Sequence, residues 1–282
     1  MAKILLGKPV AEEIRNDIKE RVAALENKGV SPTILVLRVG ARAEDVSYER
    51  GILKTAGNLG IKVVVDEISE TVSTEEMIKK VEAANEDSSV HGIMMFRPLP
   101  KSIDESAVIE AISPAKDIDC MTSMNLAGVF AGKDVFAPCT AEAVIEMLKF
   151  NNVMLNGAKV ALLGRSMVVG KPLSMLLLKE NATVTICHSR TKNRKDITNN
   201  ADIVISAMGQ PKMLGPIDFN RDAFVIDVGI NDDGNGGICG DVDYDLVVDH
   251  VLAINPAIGG LGTITTSLLL RHAIIACEKA NS

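Results

Sequence analysis

The sequence contains no tryptophan, and aromatic residues make up only 3% of its 282 residues. This scarcity argues against the aromatic stacking platforms with which many proteins hold single-stranded nucleic acid. The net charge of −7 also argues against a general nucleic-acid binder. No apolar run approaches the roughly 18 residues that a membrane-spanning helix needs. An anionic small ligand therefore requires a local group of basic residues to hold it.

Cysteine is also sparse, and its pattern is not that of a disulfide framework. The five cysteines are scattered, odd in number and never arranged as C-x-x-C, which favours a reducing, cytoplasmic location. Cys187 and His188 are adjacent, but no partner lies at metal-ligand spacing, so no metal site is predicted. The apolar run Ile4–Leu6 near the N-terminus is too short for a signal peptide.

What the chain does contain is an alternation of strand and helix patterns, which predicts a parallel, layered α/β fold. In the first part, Ser73 and Glu76 form a capping box that opens a helix. The first predicted strands are Thr33–Val39, Lys62–Ile68 and His91–Phe96. The later ones are Lys159–Leu163, Thr183–Cys187, 202–207 and 224–228. Residues 113–132, with several small and polar side chains, are predicted to join two domains.

One stretch of the second part has the layout of a nucleotide-binding turn. The apolar strand Lys159–Leu163 breaks at Gly164, and a helix is predicted from Gly170. Such a helix N-terminus offers free N–H groups and a positive dipole end to a pyrophosphate. The spacing is wider than in G-x-G-x-x-G, so an ordinary βα turn remains the alternative. Arg165 and Ser166 in the turn favour the nucleotide interpretation.

The end of the following strand indicates which nucleotide. A carboxylate at this point favours NAD, whereas basic groups accommodate the 2′-phosphate of NADP. The sequence here has no carboxylate but has Ser189 and Arg190, which with Arg165 would form a basic clamp. The alternative is a solvated basic loop. Gly209 and Ile230 follow two further strands, at the carboxyl edge where open α/β sheets bind ligands.

Taken together, the short motifs resemble the methylenetetrahydrofolate dehydrogenase/methenyltetrahydrofolate cyclohydrolase family over nearly the whole chain. The motifs that carry the resemblance are 116–119 (KDID), 138–140 (PCT), 164–166 (GRS), 169–172 (VGKP), 188–191 (HSRT), 227–231 (DVGIN), 240–242 (GDV) and 259–262 (GGLG). The resemblance implies an N-terminal three-layer α/β domain, a C-terminal Rossmann-type NADP-binding domain and a final helix that returns to the first. It also implies a homodimer acting in one-carbon metabolism. The resemblance therefore predicts that residues 1–118 and 264–282 form the folate-binding domain and that residues 119–263 form the NADP-binding domain.

The resemblance further implies a folate site containing Tyr48, Asp119 and the glycine motif Gly260, Leu261 and Gly262. Two departures fall in this site. Where the family has a lysine four residues after the tyrosine, this chain has Ile52. Lys54 lies two positions further, about 200° around a helix. Where the family has a glutamine before the Pro-Leu-Pro run, this chain has Phe96, and Arg97 follows it.

These departures affect the family's two reactions differently. Hydride loss from a carbon between two nitrogens needs positioning more than a side-chain base. Hydrolysis of the methenyl group needs proton transfer, for which a positioned group is typically worth about 10²–10⁴-fold. The sequence therefore predicts an NADP-dependent dehydrogenase with weak or lost cyclohydrolase activity. The alternatives are a bifunctional enzyme that uses Lys54, a catalytically silent folate- or nucleotide-binding protein, and a dehydrogenase for another substrate.

Overall fold

The computed structural model describes residues 2–282, which form two compact units. The first unit contains the chain up to Ala11, Val129–Lys133 and Pro138–Thr265. The second contains Glu12–Gly128, Asp134–Ala137 and Thr266–Ser282. We call them the C-terminal and N-terminal units, after the larger part of each. The prediction of two α/β domains is confirmed, whereas the predicted domain limits stay a prediction.

The helices and strands are as follows. In chain order the helices are α1 (Gly7–Glu26), α2 (Ala43–Gly57), α3 (Thr74–Glu86), α4 (Glu105–Glu110), α5 (Ser123–Phe130), α6 (Cys139–Phe150), α7 (Gly170–Lys179), α8 (Arg194–Asn199), α9 (Tyr244–Val247) and α10 (Gly262–Ala280). The strands are β1 (Lys3–Ile4), β2 (Thr33–Val39), β3 (Lys62–Ile68), β4 (Gly92–Met95), β5 (Lys159–Leu163), β6 (Thr183–Cys187), β7 (Ile203–Ser206), β8 (Phe224–Asp227), β9 (Asn231–Asp232), β10 (Ile238–Cys239) and β11 (Ala253–Ile254).

The N-terminal unit is built on a parallel three-stranded sheet in the order β3-β2-β4. The central strand β2 is buried along nearly its whole length, which explains its continuous apolar run. Apolar side chains of α3 and α4 pack against this sheet; the cluster includes Leu37, Met77, Val81, Ile93, Val108 and Ile112. The predicted capping box is confirmed, because Ser73 Oγ accepts from Glu76 N while Glu76 accepts from Ser73 N.

The C-terminal unit is built on a six-stranded sheet in the order β1-β11-β8-β7-β5-β6, and every pairing in it is parallel. The order reverses direction at β5, which pairs with β6 on one side and β7 on the other. Ligands of open α/β sheets bind at such a switch point, beyond the carboxyl ends of the strands. This topology confirms the Rossmann-type prediction and locates the edge at which a dinucleotide would bind.

Several elements escaped the sequence patterns because they are short. The two-residue strand β1 pairs with β11, and the two-residue strands β9 and β10 form a hairpin. The predicted junction 113–132 contains α5, whose first turn is capped by Thr122 Oγ1, which accepts from Asn125 N at 3.3 Å. All five cysteines are buried, and none of them forms a disulfide. Within residues 2–282, no helix has the length and apolar character of a membrane span.

Candidate coenzyme and substrate sites

A cavity of about 330 Å³ opens at the carboxyl edge of the six-stranded sheet. Its wall comes from the ends of β5, β6 and β7, the three strands that meet at the switch point. The lining residues are Leu163, Gly164, Arg165, Ser166, Cys187, His188, Ser189, Arg194, Ala207, Met208, Gln210 and Met213. Gly164, Arg165, Ser166 and Ser189, all predicted to bind the coenzyme, are therefore brought together around one cavity.

The turn from β5 to α7 requires glycine at two points. Gly164 has φ +126°, and a Cβ there would clash with the carbonyl oxygen of Ala207. At Gly170 a Cβ would clash with the carbonyl oxygen of Gly164. Ser166 Oγ accepts from Val169 N at 3.1 Å, which fixes the entry into α7. The two glycines thus allow close packing of the turn, and residues 165–168 stay exposed before the first turn of a ten-residue helix, where a pyrophosphate could bind.

Basic groups line this cavity, but not all are those that the sequence predicted. Arg165 and Ser189 are exposed side chains on its wall, whereas Arg190 is not among the lining residues. Arg194, which the sequence reasoning missed, does line the cavity, whereas coenzyme binding by Arg190 stays a prediction. Its Nη2 donates to Asp218 at 2.8 Å, and its buried Nε has no hydrogen-bond partner in the described chain. A buried donor without a partner and two further polar side chains fit an anionic ligand.

Gly209 and Ile230 occupy two loops at the same edge. Gly209 has φ +65° and stands between Met208 and Gln210, which both line the cavity. Ile230 lies shortly after β8, and its side chain is 62% exposed. Their contact with a coenzyme stays a prediction.

The N-terminal unit brings together Tyr48 and Phe96. Tyr48 lies on α2 and Phe96 directly follows β4; their rings meet edge to face, with centroids 6.2 Å apart and an interplanar angle of 88°. Thr266 Oγ1 lies 3.5 Å from the Tyr48 hydroxyl oxygen. Phe96 is buried, whereas Tyr48 remains 38% exposed.

Helix α2 separates the two candidate positions for a catalytic lysine. Ile52, one turn after Tyr48, is only 1% exposed. Lys54 is exposed and lies in the last turn of α2, where a cation stabilises the helix dipole. A regular helix over Ala43–Gly57 holds these two residues on different faces. Tyr48 and Lys54 therefore lie on different faces of α2. The interaction of Lys54 with the helix dipole is enough to account for a lysine at this position.

A buried arginine of the sheet, Arg38, fixes the orientation of α2. Arg38 on β2 is 4% exposed, and its Nε donates to Glu49 of α2 at 2.6 Å. Its other nitrogens reach the carbonyl oxygen of Gly40 and, at 3.1 Å, Glu67. The hydrogen bond to Glu49 is the main cause that raises the pKa of Arg38. This ion pair fixes the helix face that carries Tyr48.

Asp119 lies in a tightly held segment beside β4. Asp117 forms a parallel bridge with Ile93, so the chain from Asp117 runs toward the edge at which Phe96 lies. The Asp117 carboxylate accepts from the backbone N–H of Met121 and Thr122 at 2.8 and 2.9 Å. Asp119 is half-buried, and no helix begins there, so the alternative role of a helix N-cap does not apply.

The glycine motif belongs to the C-terminal unit, before α10. The backbone N–H of Gly7 donates to Gly259 O at 2.9 Å, and a Cβ at Gly7 would clash with the carbonyl oxygen of Gly260. Leu261 is buried, and Gly262 begins α10. This packing accounts for the glycines by close backbone contact; substrate binding by Gly260, Leu261 and Gly262 stays a prediction. No cluster of three metal-ligating side chains occurs among the residues described.

Comparison with known proteins adds to this geometry. The family model described as tetrahydrofolate dehydrogenase/cyclohydrolase, catalytic domain, matches residues 5–119. That described as tetrahydrofolate dehydrogenase/cyclohydrolase, NAD(P)-binding domain, matches residues 138–281. The chain is 48% identical over 281 residues to the bifunctional protein FolD of Clostridioides difficile, covering 99% of this chain and 98% of the relative. It is 48% identical over 280 residues to bifunctional protein FolD 1 of Desulfitobacterium hafniense, covering 99% and 100%.

Two solved structures are similar over almost the full length. One is the bifunctional FolD dehydrogenase/cyclohydrolase of Campylobacter jejuni, with a TM-score of 0.96 and 32% identity, covering 99% of each chain. The other is the methylenetetrahydrofolate dehydrogenase-cyclohydrolase of Trypanosoma brucei, complexed with NADP cofactor and an inhibitor. It has a TM-score of 0.93 and 33% identity, covering 99% of this chain and 98% of that one.

Proposed function

Because this chain belongs to the tetrahydrofolate dehydrogenase/cyclohydrolase family, we propose that it oxidises 5,10-methylenetetrahydrofolate to the 5,10-methenyl form with NADP⁺. We further propose that its cyclohydrolase activity is weak or lost. The observation that carries the second point is the fully buried isoleucine, Ile52, one helical turn from Tyr48. The homodimer and the cytoplasmic location remain predictions from the sequence.

The C-terminal unit would hold the coenzyme. NADP⁺, when bound, supplies the nicotinamide that accepts the hydride. The backbone at Gly164 and the start of α7 would bind the pyrophosphate. Arg165 and Arg194 would neutralise the 2′-phosphate, and the Ser189 hydroxyl would donate a hydrogen bond to it.

The folate would be held by residues of the N-terminal unit. Asp119 would accept hydrogen bonds from the amino group of the pterin ring, and Tyr48 would pack against the folate or donate to it. The edge-to-face contact with Phe96 restricts the Tyr48 ring, so its orientation is set before the ligand arrives. These roles need no proton transfer from a side chain, because the neighbouring nitrogens stabilise the cation left by hydride loss.

Hydrolysis makes a demand that these residues do not meet. Water attacking the methenyl carbon must lose a proton, and the departing nitrogen must gain one. Ile52 and Phe96 have no group that exchanges protons, and Lys54 lies on another face of α2. The Tyr48 hydroxyl, with its Thr266 neighbour, would orient water at best. The dehydrogenase half of the proposal depends on positioning alone and is unaffected.

A paired assay tests the proposal. NADPH formation from methylenetetrahydrofolate is measured, and methenyl decay is measured separately and corrected for spontaneous hydrolysis. We expect rapid NADPH formation, with methenyl decay within about twofold of the background rate. The reason is that loss of a positioned acid/base group lowers the rate of hydrolysis about 10²–10⁴-fold. Fast enzymatic decay would refute the loss of cyclohydrolase activity. Absence of both activities would favour a silent binding protein.

The coenzyme assignment gives a second prediction. Replacing Arg165→Gln removes a charged donor from the cavity wall but keeps a polar side chain. A hydrogen bond to a charged group is worth about 1.5–3 kcal/mol, so the Kd for NADP⁺ should rise about 10- to 100-fold. The Kd for NAD⁺, which lacks the 2′-phosphate, should change less than about twofold. Titration calorimetry with both coenzymes measures this, and an equal loss for both would contradict the role.

The bifunctional alternative is favoured by one observation: the similar proteins from Clostridioides difficile and Desulfitobacterium hafniense are both named bifunctional. In this alternative Lys54 supplies the missing base. A Lys54→Ala variant separates the two candidates, because only the bifunctional enzyme would lose methenyl hydrolysis on this change.

A further inference from the structure

We infer that Asp241, a buried carboxylate that does not line the cavity, positions the coenzyme-binding loops at the ends of β7 and β8. The inference rests on the proposed NADP⁺ site. Asp241 is 0% exposed, and both of its oxygens accept hydrogen bonds from chain segments beside that site. It would act through these loops and not by touching the coenzyme.

The contacts divide between the two oxygens of the carboxylate. Oδ2 accepts from Met208 N at 2.7 Å and from the Ser206 hydroxyl at 2.8 Å. Oδ1 accepts from Gln210 N at 2.8 Å and from Asn231 Nδ2 at 3.0 Å. The two backbone donors flank Gly209, whose φ of +65° lets the amides on both sides reach one carboxylate. Since Met208 and Gln210 line the cavity, this carboxylate determines the shape of one wall.

A second buried carboxylate fixes Asp241 itself. Asp227 Oδ1 accepts from the backbone N–H groups of Gly229 and Asp241, and its Oδ2 accepts from Val242 N at 2.9 Å. Burial is the main cause that raises the pKa of Asp227 to about 6, although the three N–H donors lower it. The negative charge of Asp241 adds to the rise.

The glycines of both motifs follow from this arrangement. A Cβ at Gly229 would clash with Asp241 Oδ1, and one at Gly240 would clash with Asp227 Oδ2. Each carboxylate therefore presses against a glycine of the other loop. The motifs 227–231 and 240–242, whose aspartates are 14 positions apart in the sequence, together hold the 207–210 and 228–231 loops in place.

The test is Asp241→Asn, which has the same shape. An amide presents one oxygen and one NH₂ group, so either Met208 N or Gln210 N would face another donor, whichever way the amide turns. We expect the Kd for NADP⁺, measured by titration calorimetry, to rise about ten- to hundredfold. KM for NADP⁺ should rise in step, with a much smaller change in the KM for folate.

The matched control is Asp202→Asn. Asp202 Oδ2 also accepts from a backbone N–H, that of Lys159 at 2.7 Å, but at the opposite end of the sheet. This variant should show a small loss of thermal stability and an unchanged Kd. The comparison distinguishes loop positioning from a general loss of stability, which would act on both variants alike.

Each outcome has one meaning. An unchanged Kd in folded Asp241→Asn overturns the inference. If circular dichroism shows that this variant does not fold, Asn231→Ala replaces it, since it removes one donor and leaves both backbone contacts. A rise of about two- to fivefold in Kd is then expected, and no rise overturns the inference. If the wild-type protein itself does not bind NADP⁺, the proposed function fails first, and that failure is recognised before any variant is compared.

Discussion

Replacing Ile52→Lys and Phe96→Gln together is expected to raise methenyl hydrolysis about 10²–10⁴-fold, the usual contribution of a positioned acid/base group. Position 52 is 1% exposed and lies one turn from Tyr48 on α2. Burial there would lower the pKa of the new lysine and favour its neutral, basic form. The glutamine would occupy the position directly after β4 and supply an amide to orient the lysine.

The same change should reduce stability, because a polar group replaces a packed apolar side chain. We expect a loss of about 1–3 kcal/mol in the free energy of unfolding. Ile52→Met is the control for packing: it preserves the apolar character and should leave methenyl hydrolysis at background.

Lys54→Ala should alter neither activity by more than about twofold, since exposed substitutions have small effects. A double variant that is folded and still shows background hydrolysis would mean that the activity was lost for another reason.

Gly164→Ala is expected to abolish coenzyme binding. The residue has φ +126°, where an alanine is strained by about 1–3 kcal/mol. The added Cβ would also clash with the backbone carbonyl of Ala207, which no rotamer change relieves. The turn must therefore move away from the position in which its backbone would approach the pyrophosphate. NADP⁺ titration should show a Kd at least about 100-fold higher than that of the wild type.

Gly215→Ala supplies the matched control in the same unit. Gly215 has φ −120°, and an added Cβ meets no atom within 4 Å. This variant should bind NADP⁺ as the wild type does, with a melting temperature that changes little. Normal binding by Gly164→Ala would show that the β5–α7 turn does not approach the coenzyme, contrary to the proposed site.

The parts of the fold that the sequence predicted are those in which one strong pattern decides the structure. The strand β2 is a continuous apolar run because both of its faces are buried, and Ser73 with Glu76 marks the start of α3 through its own side-chain hydrogen bonds. In the coenzyme site, Gly164 was recognisable because a break between an apolar strand and a helix leaves a specific signal.

What the sequence could not indicate depends on contacts between distant positions. Arg194 lines the cavity because Asp218, 24 residues away, holds its guanidinium, and no local pattern reports that pairing. The buried pair Asp227 and Asp241 is similar: each motif appears as an ordinary turn, and only the folded chain reveals that their carboxylates hold two loops. The burial of Ile52 was likewise inaccessible, since a helix pattern alone does not say which faces are covered.

The sheet order has a consequence for how the protein is made. Lys3–Ile4 pair with Ala253–Ile254 in the six-stranded sheet, and Thr266–Ser282 cluster with the unit that begins at Glu12. Each unit thus takes residues from both the early and the late parts of the chain. During synthesis domains generally fold from the N-terminal side as they emerge, but here β1 has no strand to pair with until β11 has been added, and the N-terminal unit lacks the body of α10 until after Thr265. The six-stranded sheet of the nascent chain is therefore incomplete until Ile254 has been synthesised.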